Sequence, residues 1–215
     1  TDKKYLLRTN SAAKVMGRED RKDGVHSGNR VLTRIYNHGA IGDLSSAFSG
    51  VYPIGSGHAY IFEFSPVIAA SVVDVNGNRK HIISDGTIGL TDDSPEGTPW
   101  SFEPLPGYAN PNQENLAMSD NVNSWPESWP NRPSDWNGEW NGQYGKYVRA
   151  DQESYFVVDD YYNSEFEFWP DENDLPDSLS EDPDNHRRGL GIQLDVRGYQ
   201  WNHPAAEDIL IVTYW

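Results

Sequence analysis

The chain has 215 residues, no cysteine and a formal net charge of −16 at pH 7. The lack of cysteine excludes a disulfide framework and a thiolate metal site, and the negative charge makes nucleic acid or an anionic membrane an unfavourable partner. No apolar run approaches the roughly 18 residues of a membrane helix, so direct membrane insertion is not expected.

The N-terminal part differs in charge from the rest of the chain. Residues 1–38 hold nine Lys or Arg against four Asp or Glu, whereas residues 151–185 hold thirteen acids and no base. Residues 1–29 are polar and lack a sustained hydrophobic period, which predicts an extended basic arm followed by a single β domain at 30–215. The asymmetry fits either two solvated faces or docking of the arm on an acidic surface, within one molecule or on a neighbour.

Short apolar or alternating segments, separated by turn residues, predict strands along the rest of the chain. They lack the 3.6-residue period of an amphipathic helix, and no internal repeat is present. The predicted strands are 31–36, 60–64, 67–75, 79–84, 155–158, 165–168, 190–197 and 209–215.

The hairpin at 67–84 has the clearest local pattern. Residues 67–75 are β-branched and apolar on both faces, which predicts a buried central strand. Asn76 and Gly77 follow, the preferred pair for a tight two-residue turn, and residues 79–84 return.

These patterns are typical of a mainly β protein. We predict an antiparallel β-sandwich with long loops rich in Trp, Pro and Gly and with few or no helices. The chain ends at Trp215 inside an apolar strand, so we expect it to be the front part of a longer polypeptide.

One loop, residues 125–147, concentrates four of the eight tryptophans among proline and glycine. Two interpretations are open. The rings form a platform that stacks on sugar faces, as in a carbohydrate-binding module, or they cover the edge of the sandwich and hold the loop by packing. We favour packing, because buried aromatic side chains dominate core energetics. The candidate platform is Trp125, Trp129, Trp136, Trp140 and Tyr144.

Clusters of oxygen donors suggest calcium, which prefers such ligands. Asp74, Asn76 and Asn78 alternate as in calcium loops, but they fall on the predicted hairpin turn, where Asn and Gly serve the backbone. Acidic loops supply further donors, for which a solvated loop is the favoured interpretation. No cofactor is required, and any bound metal is predicted to be Ca²⁺. The further candidates are Asp159, Asp160, Asp171 and Asp174.

No motif marks a catalytic centre. The six histidines show no zinc-binding spacing, no G-x-S-x-G nucleophile motif is present, and no carboxylate pair is distinguished among the 33 acids. We therefore predict no catalytic residue and no enzymatic activity. Glycoside hydrolysis by an unidentified carboxylate pair is kept as a further alternative.

Distinctive segments run through the chain from residue 30, among them RVLTRIYNHGAIGD (30–43), VYPIGSGHAYIFEFSPVIAA (51–70), PWSFEPLPGYANPNQ (99–113) and RGLGIQLDVRGYQWNHPAAEDILIVTY (188–214). In order and spacing they resemble the N-terminal region of large secreted or surface proteins of Bacteroidota and related Gram-negative bacteria. Such proteins often carry fibronectin-type repeats and a sorting domain for type IX secretion. The resemblance implies secretion and a role at the outer cell surface or in a matrix. It implies no catalytic residues.

The same resemblance gives meaning to one short motif. Asp177, Ser178 and Leu179 match the pattern of Asp, Ser or Thr, and an apolar residue on which such bacteria attach O-glycans. An O-glycosylation site at Ser178 is therefore implied.

From this we predict a non-enzymatic, secreted structural or adhesive module of a cell-surface protein or extracellular assembly. Its partners would be other copies or other domains of the same surface protein. Glycans would be the partner if the loop at 125–147 forms a carbohydrate-binding module. The arm is expected to join subunits, because ordering each residue costs about 1–2 kcal/mol and needs a surface.

Overall fold

The computed structural model of the chain describes residues 20–43, 45–73, 77–88, 100–161, 163 and 189–215. These residues form a mainly β, antiparallel fold, as the sequence predicts. Helical structure in the described part is limited to short 3₁₀ turns such as Val122–Ser124 and Ser134–Trp136.

Nine strands are present in the described residues. Many are short, and long loops separate them, in keeping with the density of proline and glycine. The strands are β1 (Asp23–His26), β2 (Thr33–Tyr36), β3 (Val67–Val73), β4 (Arg79–Asp85), β5 (Glu103–Pro104), β6 (Ala117–Met118), β7 (Gln152–Asp159), β8 (Gln193–Gln200) and β9 (Leu210–Tyr214).

A five-stranded antiparallel sheet forms the centre of the fold. Its main path runs β5-β7-β8-β9, and β6 pairs with the same edge of β7 as β5 does. Glu103 lies opposite Asp159, and Ala117 lies opposite Tyr155. Strand β9 therefore lies at the other edge of the sheet. Two separate ladders, β1–β2 and β3–β4, complete the described strands.

Strand β7 is buried on both faces because each face of the sheet carries its own apolar cluster. Phe156 and Val158 face the core cluster, which includes Ile35 of β2. Tyr155 and Val157 face the tryptophan cluster, which includes Trp129 and Trp140. Burial of an aliphatic or aromatic side chain stabilises by about 1.5–3 kcal/mol, so both layers contribute to the stability of the sheet. The arrangement is sandwich-like, but the layers over the sheet are small ladders and loops.

Strand β1 lies within the predicted basic arm but belongs to the body of the fold. Its residues pair with β2, from Asp23 opposite Tyr36 to His26 opposite Thr33. The arm prediction missed this strand because the segment is buried mainly through hydrogen bonds. The side-chain carbonyl oxygen of Gln152 accepts the N–H groups of Ser27 and Gly28. Residues 20–29 therefore belong to the body, and residues 1–19 of the predicted arm lie outside the described residues.

The close approach of β1 to the sheet depends on a glycine. His26 is fully buried and its Nε2 lies 2.9 Å from Ser154 Oγ. A Cβ atom at Gly198 would stand 2.5 Å from the same Nε2 and 2.6 Å from that Oγ. Only glycine on β8 leaves room for this polar contact.

The hairpin β3–β4 forms where predicted, but β3 is not a buried central strand. Among the described residues it pairs only with β4, and most of its residues are exposed on both faces. Burial begins at the base of β4, at Ile82, Ser84 and Asp85. An apolar sequence is not sufficient for burial when no layer covers the ladder.

The register of the hairpin also differs from the predicted tight turn. Val73 lies opposite Arg79, whereas a two-residue turn at Asn76 and Gly77 would place it opposite Lys80. Gly77 has φ of +81°, a conformation that favours glycine. Asn76 lies outside the described residues.

The remaining strand predictions divide into three groups. Those at 31–36, 155–158, 190–197 and 209–215 are confirmed by β2, β7, β8 and β9. The prediction at 60–64 is wrong, because the only pairing there among the described residues is one isolated bridge, between Ile41 and Phe64. The prediction at 165–168 lies outside the described residues.

Candidate interaction surface

The tryptophan loop crosses one face of the sheet and buries its two central rings. Trp129 and Trp140 are 3% and 2% exposed, and their rings meet edge to face with centroids 5.8 Å apart. Trp129 also contacts the ring of Tyr155 on β7, at 5.8 Å. Rings buried in this way cannot stack on a sugar.

The other three members of the candidate platform have three different environments. Trp125 is half-buried, contacts Trp140 at 5.3 Å and donates its indole N–H to the Met118 carbonyl. Trp136 is half-buried, with Arg132 at 4.5 Å and Lys146 at 5.8 Å from its ring centroid. Tyr144 is 67% exposed, with Arg149 over its ring at 4.8 Å. A flat five-ring platform is therefore not formed.

A buried carboxylate fixes the end of the loop to β7. Glu153 Oε2 accepts the indole N–H of Trp140 at 2.6 Å. Its Oε1 accepts the backbone N–H groups of Arg149 and Ala150 at 2.6 and 3.0 Å. Three donors on one carboxylate compensate for its burial, so Glu153 serves as a structural anchor.

A second buried network lies under the loop on β8. The guanidinium of Arg197 stacks over the ring of Tyr155 at 3.7 Å and donates to the Asn141 carbonyl at 2.6 Å. The Tyr155 hydroxyl donates to Asp195, and burial raises the pKa of Tyr155 well above its ordinary value. These contacts specify one position of the loop on the sheet.

A groove of about 660 Å³ opens beside Trp125. It runs between this ring and the proline-rich segment that follows β5, and polar side chains stand along it, including Lys22, Asn112 and Glu127. This groove has the concave shape of a small-ligand site, and Trp125 is the member of the candidate platform that lines it.

The calcium candidates fall into different environments. Asp160 is buried, and its carboxylate accepts the Ser84 hydroxyl and the N–H groups of Leu190 and Ile192 at 2.7–2.8 Å. Burial raises its pKa. Asp159 closes β7 and accepts the N–H of Tyr161. Asp160 therefore fixes the described residues just before β8, at Leu190 and Ile192, next to the end of β7.

No group of three or more His, Cys, Asp or Glu with metal-binding geometry occurs in the described ranges. Asn78 is exposed beside the hairpin turn. The other candidates, Asp74, Asn76, Asp171 and Asp174, and the glycosylation candidate Ser178 lie outside these ranges.

One pair resembles part of a nucleophilic centre, namely Ser154 with His26. Both side chains are buried, at 1% and 0% exposure, so no substrate reaches the hydroxyl. Burial lowers the pKa of His26 to about 4, partly offset by a hydrogen bond with Gln200. The pair is a neutral structural contact.

The outer edge of β9 carries unpaired backbone groups. Asp195 and Trp215 exchange two hydrogen bonds of 3.0 Å, so the alternation of an antiparallel ladder directs the N–H groups of Leu210, Val212 and Tyr214 away from β8. None of these three N–H groups has an acceptor among the described residues. An open edge of this kind is a template for another strand.

Exposed aromatic side chains stand beside this edge. Tyr60, Phe62 and Phe64 are 71%, 69% and 58% exposed, which is unusual for such large rings. A groove of about 610 Å³ is lined both by residues 60–64 and by Leu210 and Val212 of β9. We call the β9 edge, the three rings and this groove the edge surface.

The rim of the edge surface is acidic. Glu63 and Asp208 line the groove. Arg30 pairs with Asp208 at 3.1 Å and with Glu207 at 3.5 Å, and these exposed pairs contribute little to stability. Sequence analysis missed the surface because YIFEF at 60–64 alternates as a strand does, and alternation does not reveal that the rings face solvent.

Comparisons of the chain with protein-family models, with curated proteins and with solved structures found no match. Within the part of the chain that the structure describes, no helix combines the length and apolar character needed to cross a bilayer.

Proposed function

We propose that this chain is a non-enzymatic interaction module of an extracellular assembly at the surface of a Gram-negative bacterium, and that the edge surface is its contact surface. The partners are other copies or other domains of the same surface protein. The secreted location follows from the resemblance to secreted Bacteroidota proteins, and the contact role follows from the surface itself.

One observation carries the proposal: an open strand edge and a set of exposed rings border the same groove. The N–H groups of Leu210 and Val212 offer backbone hydrogen bonds, and Tyr60 and Phe62 offer apolar area next to them. Either feature alone is common on soluble proteins. Their coincidence supplies both terms that drive strand addition, namely backbone pairing and apolar burial.

Sedimentation velocity of the purified chain tests the contact role. We expect the wild-type chain to associate, and the double variant Tyr60→Ser/Phe62→Ser to associate at least about tenfold more weakly, because each lost ring removes about 1.5–3 kcal/mol of burial. The matched control is Tyr144→Ser/Tyr147→Ser, which removes two rings of similar exposure from the tryptophan loop. Equal weakening by both double variants would refute a contact role specific to the edge surface.

The location is tested in the source bacterium. Protease treatment of intact cells is expected to digest the chain, while a cytoplasmic marker stays whole. Protection of the chain until the cells are lysed would contradict an outer-surface position.

A second candidate function, a carbohydrate-binding module, is favoured by the groove beside Trp125. The half-buried ring borders a cleft of suitable size with amide, carboxylate and ammonium groups along it. A glycan array tests this candidate. Binding that is lost in Asn112→Ala/Glu127→Ala, with unchanged melting, would establish a sugar site there. If the chain binds no glycan on the array, the groove is not a carbohydrate-binding site.

A further inference from the structure

We propose that the edge surface receives residues 1–19 of a second copy of this chain, added as a strand antiparallel or parallel to β9. The inference rests on the proposed function, since it takes the edge surface as the contact surface and names its occupant. It makes the assembly a chain of copies in which each donates its N-terminal segment to the next.

The backbone of β9 supplies the first requirement. Outward-facing N–H groups at Leu210, Val212 and Tyr214 recur every second residue, as a strand needs for pairing. The side chains of these residues pack partly against the core cluster, so the edge is held in a fixed position. An added strand would meet a preorganised template.

The groove supplies the second requirement. It is lined by Tyr60, Ile61 and Phe64 on one side and by Leu210 and Val212 on the other. An added strand points alternate side chains into it. Residues 5–7 of the N-terminal segment are Tyr-Leu-Leu, so Tyr5 and Leu7 can enter the groove together.

Charge complementarity favours residues 1–19 as the occupant of the groove over the other segments that the structure does not describe. Residues 1–19 hold five Lys or Arg against two Asp or Glu, whereas 89–99 hold three acids and no base, and 164–188 hold nine acids and two bases. The groove is rimmed by Glu63 and Asp208, and next to Asp208 the single base Arg30 faces two acids, Glu207 and Asp208, so the rim stays negative. The chain as a whole carries −16. A basic segment is attracted to this rim and an acidic one is repelled.

The positions of donor and acceptor set the geometry of a contact between two copies. The segment leaves the body at Asp20, next to Arg21, which binds Glu103 of β5 through two hydrogen bonds of 2.9 Å. Strand β5 lies at one edge of the sheet and β9 at the other. Donor and acceptor at opposite edges produce a head-to-tail contact, which propagates when the rotation between copies does not close a ring.

The donor side is tested with the full chain by sedimentation velocity. The variant Leu6→Asp/Leu7→Asp is expected to weaken association at least about tenfold, because Leu7 is one of the two side chains that enter the apolar groove and aspartate there buries a charge. The matched control Ala12→Asp/Ala13→Asp makes the same change in net charge within the same segment, and it is expected to change association by no more than about threefold. If the two variants weaken association equally, the effect comes from net charge alone and not from Leu7 in the groove. That result would overturn the proposal.

The acceptor side is tested at one backbone group. Val212→Pro removes an N–H that faces away from β8, and Val212→Ala removes side-chain volume but keeps that N–H. Weak association in the proline variant alone supports strand addition. If the proline variant loses its thermal transition, competition by a synthetic peptide of residues 1–19 against the wild-type assembly decides the matter. The peptide should dissolve the assembly, and the same peptide with Asp at positions 6 and 7 should not.

Two failures are distinguishable. If Tyr60→Ser/Phe62→Ser weakens association while Leu6→Asp/Leu7→Asp and the peptide have no effect, the edge surface is a contact surface with another occupant, and this inference is wrong. If none of these changes matters, or the full chain does not associate, the proposed contact role fails as well.

Discussion

Two regions of this molecule are rich in aromatic residues, and they use them in opposite ways. The tryptophan loop, residues 125–147, turns Trp129 and Trp140 inward against the sheet. The segment 60–64 turns Tyr60 and Phe62 outward. Both segments are irregular loops, so aromatic content and loop character do not separate packing from contact.

The difference lies in what each segment meets. Indole N–H groups in the tryptophan loop find acceptors at the Met118 carbonyl, the Glu139 carbonyl and Glu153 Oε2. Each of these three indole rings, of Trp125, Trp129 and Trp140, has both an apolar neighbour and a hydrogen-bond acceptor. Residues 60–64 are held by backbone hydrogen bonds such as those between Ile41 and Phe64, and by the Ser49 hydroxyl at the Ile61 carbonyl. Among the described residues, no layer covers the rings of Tyr60 and Phe62. An aromatic ring in a loop is buried where it lies against a face of the sheet.

The largest effect expected is from truncation of the most buried tryptophan of the tryptophan loop. Trp140→Ala should lower the free energy of unfolding by about 3–5 kcal/mol, because it opens a cavity and leaves Glu153 without one of its donors. Denaturant titration measures this. Phe62→Ala is the matched control and should stay within about 0.5 kcal/mol, since its ring is 69% exposed. Similar losses for both variants would remove the distinction between the two regions.

A slightly smaller effect is expected from acid. Folded His26 has a pKa of about 4 against an ordinary value of 6.5, so the unfolded chain binds more protons between these values. The stability from a neutral His26 is complete above pH 6.5 and is lost as the pH falls toward 4, an amount of about 3 kcal/mol. Burial also lowers the pKa of His38, to about 3.

The contribution of His26 is isolated by His26→Gln. The wild-type chain should lose more stability than this variant between pH 6.5 and 4, whereas His38 and Asp160 act equally in both proteins. Parallel pH profiles in denaturant titrations would show that burial of His26 does not govern the acid response.

The anchor of the tryptophan loop predicts an intermediate effect. Glu153→Gln replaces one accepting oxygen by an amide that donates, so one of the three N–H partners of Glu153 loses its acceptor. We expect a loss of about 2 kcal/mol in the free energy of unfolding. Glu114→Gln, at an exposed position, is the control and should be near neutral. A neutral Glu153→Gln would mean that the loop does not depend on this carboxylate.

The smallest effect on stability is expected in the edge surface. Tyr60→Ala should change the melting temperature little, because the side chain is 71% exposed. It should nevertheless weaken association in sedimentation velocity. Loss of stability without loss of association would reverse the assignment of the two aromatic regions.

Local sequence patterns were sufficient to predict most of the strands and the antiparallel, mainly β class of the fold. Strands β7, β8 and β9 carry apolar runs or alternation that specify them. Strand β1 was missed because its two buried positions are Gly24 and His26, neither of which has an apolar side chain, so the segment shows no hydrophobic period. The exposure of β3 was missed because its sequence contains no information on whether another layer covers it.

The same limit applies to the candidate site. Sequence analysis identified the tryptophan loop and favoured packing, and the burial of Trp129 and Trp140 agrees with that interpretation. It did not identify residues 60–64 as a surface. Whether rings in a loop face solvent depends on contacts far along the chain, such as the shared groove with Leu210 and Val212.

The position of β7 between two clusters has a consequence for how the molecule opens. Neither cluster can separate from the sheet without exposing one face of this strand, so the two layers should unfold as one cooperative unit. Amide hydrogens of Phe156 and Val157 should therefore exchange with solvent only through global unfolding. The hairpin β3–β4, exposed on both faces over most of its length, can open locally and exchange its amides at native stability.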